Sequence, residues 1–194
     1  AVEHHLAHLA SAFRVSPFED AVAVSVDGFG DFASAAWGRG HGERIDIDER
    51  VHFPHSLGIF YQALTQYLGF PNYGDEYKVM GLAPYGEPTF VDLIYRELLD
   101  LKEDGSFRLN QKYFGYLTGL TMTNERFEIL FGAPARKAGQ HLTTFHMDVA
   151  ASIQAVLEEA VLRLTRSLAR STKLPNLCLA GGVALNCVAN GKVL

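Results

Sequence analysis

The sequence is poor in the features that mark secreted, membrane and nucleic-acid-binding chains. Its 194 residues hold only two cysteines, Cys178 and Cys187, both in small or apolar surroundings, which excludes a disulfide framework and points to two buried free thiols in a reducing compartment. Lys and Arg form no dense cluster and the formal net charge is −5, so an electrostatic footprint for nucleic acid or an anionic membrane is missing. No apolar run approaches the ~20 residues that span a bilayer, and neither a basic n-region nor an apolar h-region opens the chain. A cytoplasmic location, with small molecules as partners, is the expectation. Internal repeats and low-complexity tracts are also missing. The chain opens on Ala1-Val2-Glu3 without Met and closes inside what reads as a helix, so a piece of a longer polypeptide is expected.

What is present reads as an α/β chain. A hydrophobic content of 48% supports one substantial core with a smaller lobe. Residues 4–13 carry apolar positions at helical spacing, and 20–27 form a short Val-rich run. Asp27-Gly28-Phe29-Gly30-Asp31 supplies turn chemistry before a second apolar run from Phe32 to Gly38, which together predict a hairpin with a Gly-rich loop. Arg44 to Phe53 alternates imperfectly and predicts a third strand. Ser56 to Gly69 predicts an amphipathic helix with a Ser cap and a Gly stop. Between Phe70 and Lys112 most of the prolines, several glycines and a predicted helix at Phe90–Leu101 suggest an inserted subdomain. His146 to Ser171 is the clearest long helix. A strand at 176–180 then meets Gly181-Gly182, and helix resumes from Val183. The division predicted is a core half of roughly 20–52 and 146–194 around an inserted, mainly helical subdomain of roughly 53–145.

Four stretches carry candidate chemistry. His4 and His8 stand one helical turn apart on one face, a spacing that can grip a transition metal or simply be two ordinary histidines; His5 points elsewhere, and no sequence-local third ligand stands out. The loop Asp27, Gly28, Gly30, Asp31 follows a buried-type strand, and its amides and carboxylates could serve phosphate or a hydrated cation, or form an unliganded acidic turn. Gly181, Gly182, Val183 and Asn186 make a strand-to-helix junction whose free N–H groups suit an anionic ligand, although close helix–strand packing would also call for the glycines. Tyr73 to Gly86, dense in glycine, tyrosine and charge, reads as a loop and a candidate substrate loop through Glu76, Tyr77, Lys78 and Tyr85, or as a solvated turn.

Taken in order, Glu3-His4-His5-x-x-His8-x-x-Ser11-Ala12-Phe13, Val26-Asp27-Gly28-x-Gly30-Asp31, Glu76-Tyr77-Lys78-Val79-Met80-Gly81-Leu82-Ala83-x-Tyr85-Gly86 and Gly181-Gly182-Val183-Ala184-Leu185-Asn186 resemble the NodU-type O-carbamoyltransferases, across nearly the whole chain. The resemblance implies a half-domain of the actin/hexokinase/Hsp70 type, ribonuclease H-like in architecture. It implies that Asp27 to Asp31 is a phosphate loop, that Gly181 to Asn186 contacts the nucleoside, and that His4 and His8 hold a divalent Fe or Zn ion. It further implies that the third metal ligand, an aspartate, and the first phosphate loop lie outside this chain, as does a C-terminal domain that makes carbamoyl-adenylate from carbamoyl phosphate and ATP.

The chemistry implied is acyl transfer: an acceptor hydroxyl attacks the carbonyl carbon of carbamoyl-adenylate and AMP leaves. The loop amides of Gly28, Gly30 and Gly182 would supply positive field, and Asp27, Asp31 and His5 are the candidates for a general base. The isolated chain is expected to fold without turning over. Related alternatives are a tRNA threonylcarbamoyl-transfer protein, a sugar kinase or ATPase of the same superfamily, which has no use for His4-x-x-x-His8, and a catalytically silent nucleotide-binding module. Asp27 and Asn186 are expected to share one cleft.

Overall fold

A computed structural model describes residues 1–193 and resolves into two compact units, the first made of Ala1–Ile59, Glu103–Gly105 and the chain from Val161, the second of Phe60–Lys102 and Ser106–Ala160. The sequence sets roughly 53–145 apart as the insertion, and the second unit covers much of that stretch plus the first part of the long helix.

The first unit is built on a mixed four-stranded sheet. Helix α1 (His4–Phe13) precedes β1 (Asp20–Gly30), β2 (Ala33–His41) and β3 (Arg44–His52), and β6 (Leu177–Ala180) returns later, giving the order β3-β2-β1-β6. β1 lies antiparallel to β2 and parallel to β6. Its run Ala21-Val22-Ala23-Val24-Ser25-Val26 is buried throughout, as expected of a strand covered on both faces. Leu9 and Phe13 of α1 pack on Ala21, Ala23, Ala36 and Cys178, and burying two such side chains contributes roughly 1.5–3 kcal/mol each. Gly40 makes room for this packing, since a Cβ there would stand 2.5 Å from the Phe13 ring.

Two expectations in this unit need correction. The hairpin turn is tighter and later than the sequence suggests: β1 continues to Gly30 through a register shift between Val26 and Gly30, and Asp31 and Phe32 turn the chain with positive φ. Cys178 is buried but Cys187 is exposed, because Cys187 opens a short helix, α7 (Cys187–Val193).

The second unit is mainly helical. It holds most of α2 (Leu57–Tyr67), then α3 (Glu76–Leu82), a 3-10 turn at Ala83–Tyr85, α4 (Val91–Glu97), a small hairpin of β4 (Leu99–Leu101) and β5 (Phe107–Leu109), α5 (Glu125–Phe131) and the first part of α6 (Thr144–Thr172). Tyr67, Phe127 and Phe131 form its aromatic centre, with Tyr67–Phe127 and Phe127–Phe131 centroids 5.0 Å apart. The segment Tyr73–Gly86, read as a loop, is largely helix, and the helix predicted over Phe90–Leu101 stops at Glu97 and becomes a strand. Among the described residues no helix is long and apolar enough to cross a membrane.

Candidate metal centre

α1 starts against the tip of the β1–β2 hairpin because two carboxylates hold its unpaired amides. Glu3 Oε2 accepts from the Leu6 N–H at 2.6 Å and Asp31 Oδ2 from the His4 N–H at 2.8 Å, which also places negative charge at the positive end of the helix. The i, i+4 spacing then stacks the His4 and His8 rings edge to face, centroids 4.6 Å apart. The His4 ring lies directly on the backbone of Gly30, where a Cβ would be 2.1 Å from ring carbons.

Asp27 on β1 completes the cluster. Its Oδ2 lies 3.0 Å from His4 Nε2 and 2.9 Å from His8 Nε2, and the two Nε2 atoms are 3.1 Å apart. Among the described residues these three form a group able to share one ion. Their side chains keep 37%, 30% and 22% exposure for His4, His8 and Asp27, so one side of the cluster is open to solvent. Asp27 divides its carboxylate: Oδ1 accepts from the amides of Gly28 at 2.8 Å and Gly182 at 3.1 Å, leaving Oδ2 to the imidazoles. Burial pushes the Asp27 carboxyl up, but hydrogen bonds from His4, Gly28, Gly182 and His8 outweigh it and hold the group below its ordinary value.

The glycine pair reaches Asp27 for a reason of register. β6 runs parallel to β1 with Ala180 opposite Ser25, so the next residues meet the end of β1. Gly181 turns there with φ +87°, and a Cβ on it would stand 2.4 Å from the Val26 carbonyl, a conformation and a spacing that only glycine accepts. A 3-10 turn follows at Gly182–Leu185, with Val183 buried. Asn186 is buried as well, and its Oδ1 accepts from the Ala189 N–H at 3.0 Å as a cap of α7. Two of the amides expected to face a phosphate, those of Gly28 and Gly182, are thus directed at a carboxylate of the chain itself.

The other candidates separate. His5 is fully buried, with Nδ1 2.9 Å from Ser25 Oγ; burial lowers its basicity, and it does not reach an acceptor in solvent. Asp31 is exposed at the hairpin tip. Glu76, Tyr77 and Lys78 lie on α3 and Tyr85 on the 3-10 turn, all in the second unit, where Lys78 pairs with Asp75 at 2.7 Å and Tyr77 and Tyr85 are exposed. A groove of about 590 Å³ along β6, lined by Phe18, Val22, Leu168, Leu177 and Leu179, holds none of the candidate residues.

The sequence names every member of the cluster but not their association. Asp27 stands within contact of both imidazoles from 23 and 19 positions away. The usable signal was topological: a helix that packs back on the strand following it brings its first turn to that strand's far end.

Comparison with known proteins agrees with the motifs. The uncharacterised protein sll1178 of Synechocystis sp. is 56% identical over 192 residues, covering 99% of this chain and 31% of the relative. Nodulation protein NolO of Bradyrhizobium diazoefficiens is 38% identical over 195 residues, covering 100% of this chain and 33% of the relative. The uncharacterised protein MJ1051 of Methanocaldococcus jannaschii is 27% identical over 190 residues, 98% of this chain and 35% of its own length. The chain therefore spans about a third of these relatives. Residues 1–194 match the family described as carbamoyltransferase N-terminus, and the chain belongs to that family.

Proposed function

We propose that the chain is the metal-holding N-terminal part of an O-carbamoyltransferase, with one divalent Fe- or Zn-class ion carried by His4, His8 and Asp27. The observation that carries this reading is the mutual approach of the three donor atoms at 3.1, 3.0 and 2.9 Å. Bonds of ~2.1 Å to a common ion put neighbouring donors roughly 3 Å apart. Two imidazoles and one carboxylate are a donor set suited to a first-row transition metal. At these spacings the two imidazole nitrogens and the carboxylate oxygen can turn three lone pairs to one cation. Bound there, the ion supplies Lewis-acid polarisation of a phosphate or carbonyl oxygen.

The remaining work falls to the chain's own groups. The transfer forms a bond between the acceptor hydroxyl oxygen and the carbonyl carbon of carbamoyl-adenylate, breaks the bond from that carbon to the AMP oxygen, and passes the hydroxyl proton to a base. Of Asp27, Asp31 and His5, Asp31 is the base favoured here: Asp27 Oδ2 faces two imidazoles and His5 is buried, while Asp31 is open to solvent. A nucleotide lies between the Asp27–Asp31 hairpin and the Gly181–Asn186 turn, and the Glu76, Tyr77, Lys78 and Tyr85 segment serves the acceptor. The order β3-β2-β1 antiparallel with β6 parallel beside β1 fits a half-domain of the actin/hexokinase/Hsp70 type. Carbamoyl phosphate, ATP and a hydroxyl compound are the substrates of the whole protein, whose further length holds the adenylate-forming domain.

The test uses the full-length protein with carbamoyl phosphate, ATP and hydroxyl acceptors, followed by mass spectrometry of the acceptor and assay of AMP. A carbamoylated acceptor formed together with AMP, lowered about 100-fold or more by Asp27→Asn, is the expected result. A phosphorylated acceptor with ADP would move the protein to the kinase class.

A further inference from the structure

We infer that Ser56, together with Gly58, is a positioning element that sets the aim of the Asp27 carboxylate; this rests on the metal reading above. Ser56 is fully buried. Its Oγ donates to the backbone carbonyl of Asp27 at 2.9 Å and accepts from the Ile59 N–H at 3.0 Å. One hydroxyl therefore starts α2 and ties that start to the main chain of the third metal donor. Gly58 brings the same turn closer still: a Cβ there would stand 2.6 Å from the Asp27 carbonyl oxygen and 2.8 Å from the Gly28 nitrogen. The first turn of α2 is seated on the Asp27–Gly28 peptide.

That peptide needs an external support. It lies where the pairing of β1 with β2 shifts register, between Val26 and Gly30, so regular ladder bonds do not fix its orientation. Direction is set by what packs there. Ser56 holds the carbonyl of Asp27, and the Gly28 and Gly182 amides hold Oδ1, which leaves Oδ2 as the free donor on the His4 and His8 side. Supports of this kind around a metal ligand are worth about 10- to 100-fold in affinity, because they hold the donor in place before the ion arrives.

An ordinary helix cap would bond Ile59 in the same way, so the test separates the two duties of the hydroxyl. Ser56→Gly loses both hydroxyl bonds but remains an acceptable residue at the helix start, so only the tie to Asp27 goes without replacement. Ser56→Ala loses both bonds and caps poorly, and Ser56→Thr restores both. Full-length protein is stripped with chelator and titrated with Zn(II) against a chromophoric competitor, and thermal unfolding of each metal-free form is recorded in parallel. We expect Ser56→Gly and Ser56→Ala to bind Zn(II) about tenfold more weakly or worse. Ser56→Thr should stay near wild type, and metal-free Ser56→Gly should unfold near the wild-type temperature. Gly58→Ala, which must displace the helix turn or the peptide, should show the same loss and serves if Ser56→Gly does not fold. Wild-type affinity in Ser56→Gly, or in Gly58→Ala if that variant is needed, overturns this inference while leaving the metal reading intact. Wild-type protein that binds no Zn(II) overturns both.

Discussion

The amide of Gly182 donates to Oδ1 of Asp27 at 3.1 Å across 155 positions of sequence. A turn near one end of the chain thereby decides which oxygen of a strand-end carboxylate remains for the histidines near the other. The parallel pairing of β6 with β1 makes the contact, and the positive φ of Gly181 lets the chain turn into it. One amide of the glycine pair, that of Gly182, thus braces Asp27.

The two glycines should therefore fail differently. Gly181→Ala meets both an unfavourable backbone region and the Val26 carbonyl at 2.4 Å, and should cost about 2 kcal/mol or more of stability in denaturant unfolding. Gly182→Ala places a methyl 2.8 Å from Asp27 Oδ1, which a side chain can yield to. Its expected signature is weakened metal binding with a small change in unfolding midpoint, and equal stability losses in the two variants would contradict this division.

Gly30 carries a comparable role for His4. A methyl at Gly30 would occupy the space of the His4 ring at 2.1 Å, so Gly30→Ala must swing that imidazole away from Asp27. Metal affinity should fall as far as in His4→Ala, with circular dichroism little changed. Retained affinity would mean that His4 has a second productive placement.

In the second unit, Asp75 gives a pH-dependent test. A hydrogen bond from Lys78, opposed by burial and aided by Asn72, holds its carboxyl below the usual value. A group lowered in the folded state adds stability above its unfolded pKa and loses it as pH falls through the folded value. The unfolding temperature should accordingly decline on acidification below about pH 4, and less steeply in Asp75→Asn. Parallel pH profiles for the two proteins would remove Asp75 from that transition.

Much of the scaffold is legible from residue pattern, and the reasons for the exceptions are physical. α1, α6 and β6 follow from apolar spacing and flanking Gly or Pro, and both caps expected of α2 occur: Ser56 accepts from Ile59, and Gly69 has φ +79°. α3 is hidden because Gly81 lies inside it and Gly74 and Pro84 flank it, punctuation that normally marks a loop. Leu98 and Leu99 continue the apolar run of α4 into β4, so periodicity alone overruns the true end at Glu97. His4 and His8 are visible as a pair because a helix turn is a local rule. Asp27 as their partner, and Ser56 behind it, depend on packing between elements that no spacing rule reports.

Metal analysis of the full-length protein tests directly whether His4, His8 and Asp27 hold an ion. Purified wild-type protein and its His4→Ala, His8→Ala and Asp27→Asn variants would be measured for Fe and Zn per chain by mass spectrometry, with folding checked by unfolding profiles. About one ion per chain is expected in wild type, with most of it lost in each variant, since removing any one donor leaves only two. An unchanged metal content in folded Asp27→Asn would contradict this expectation.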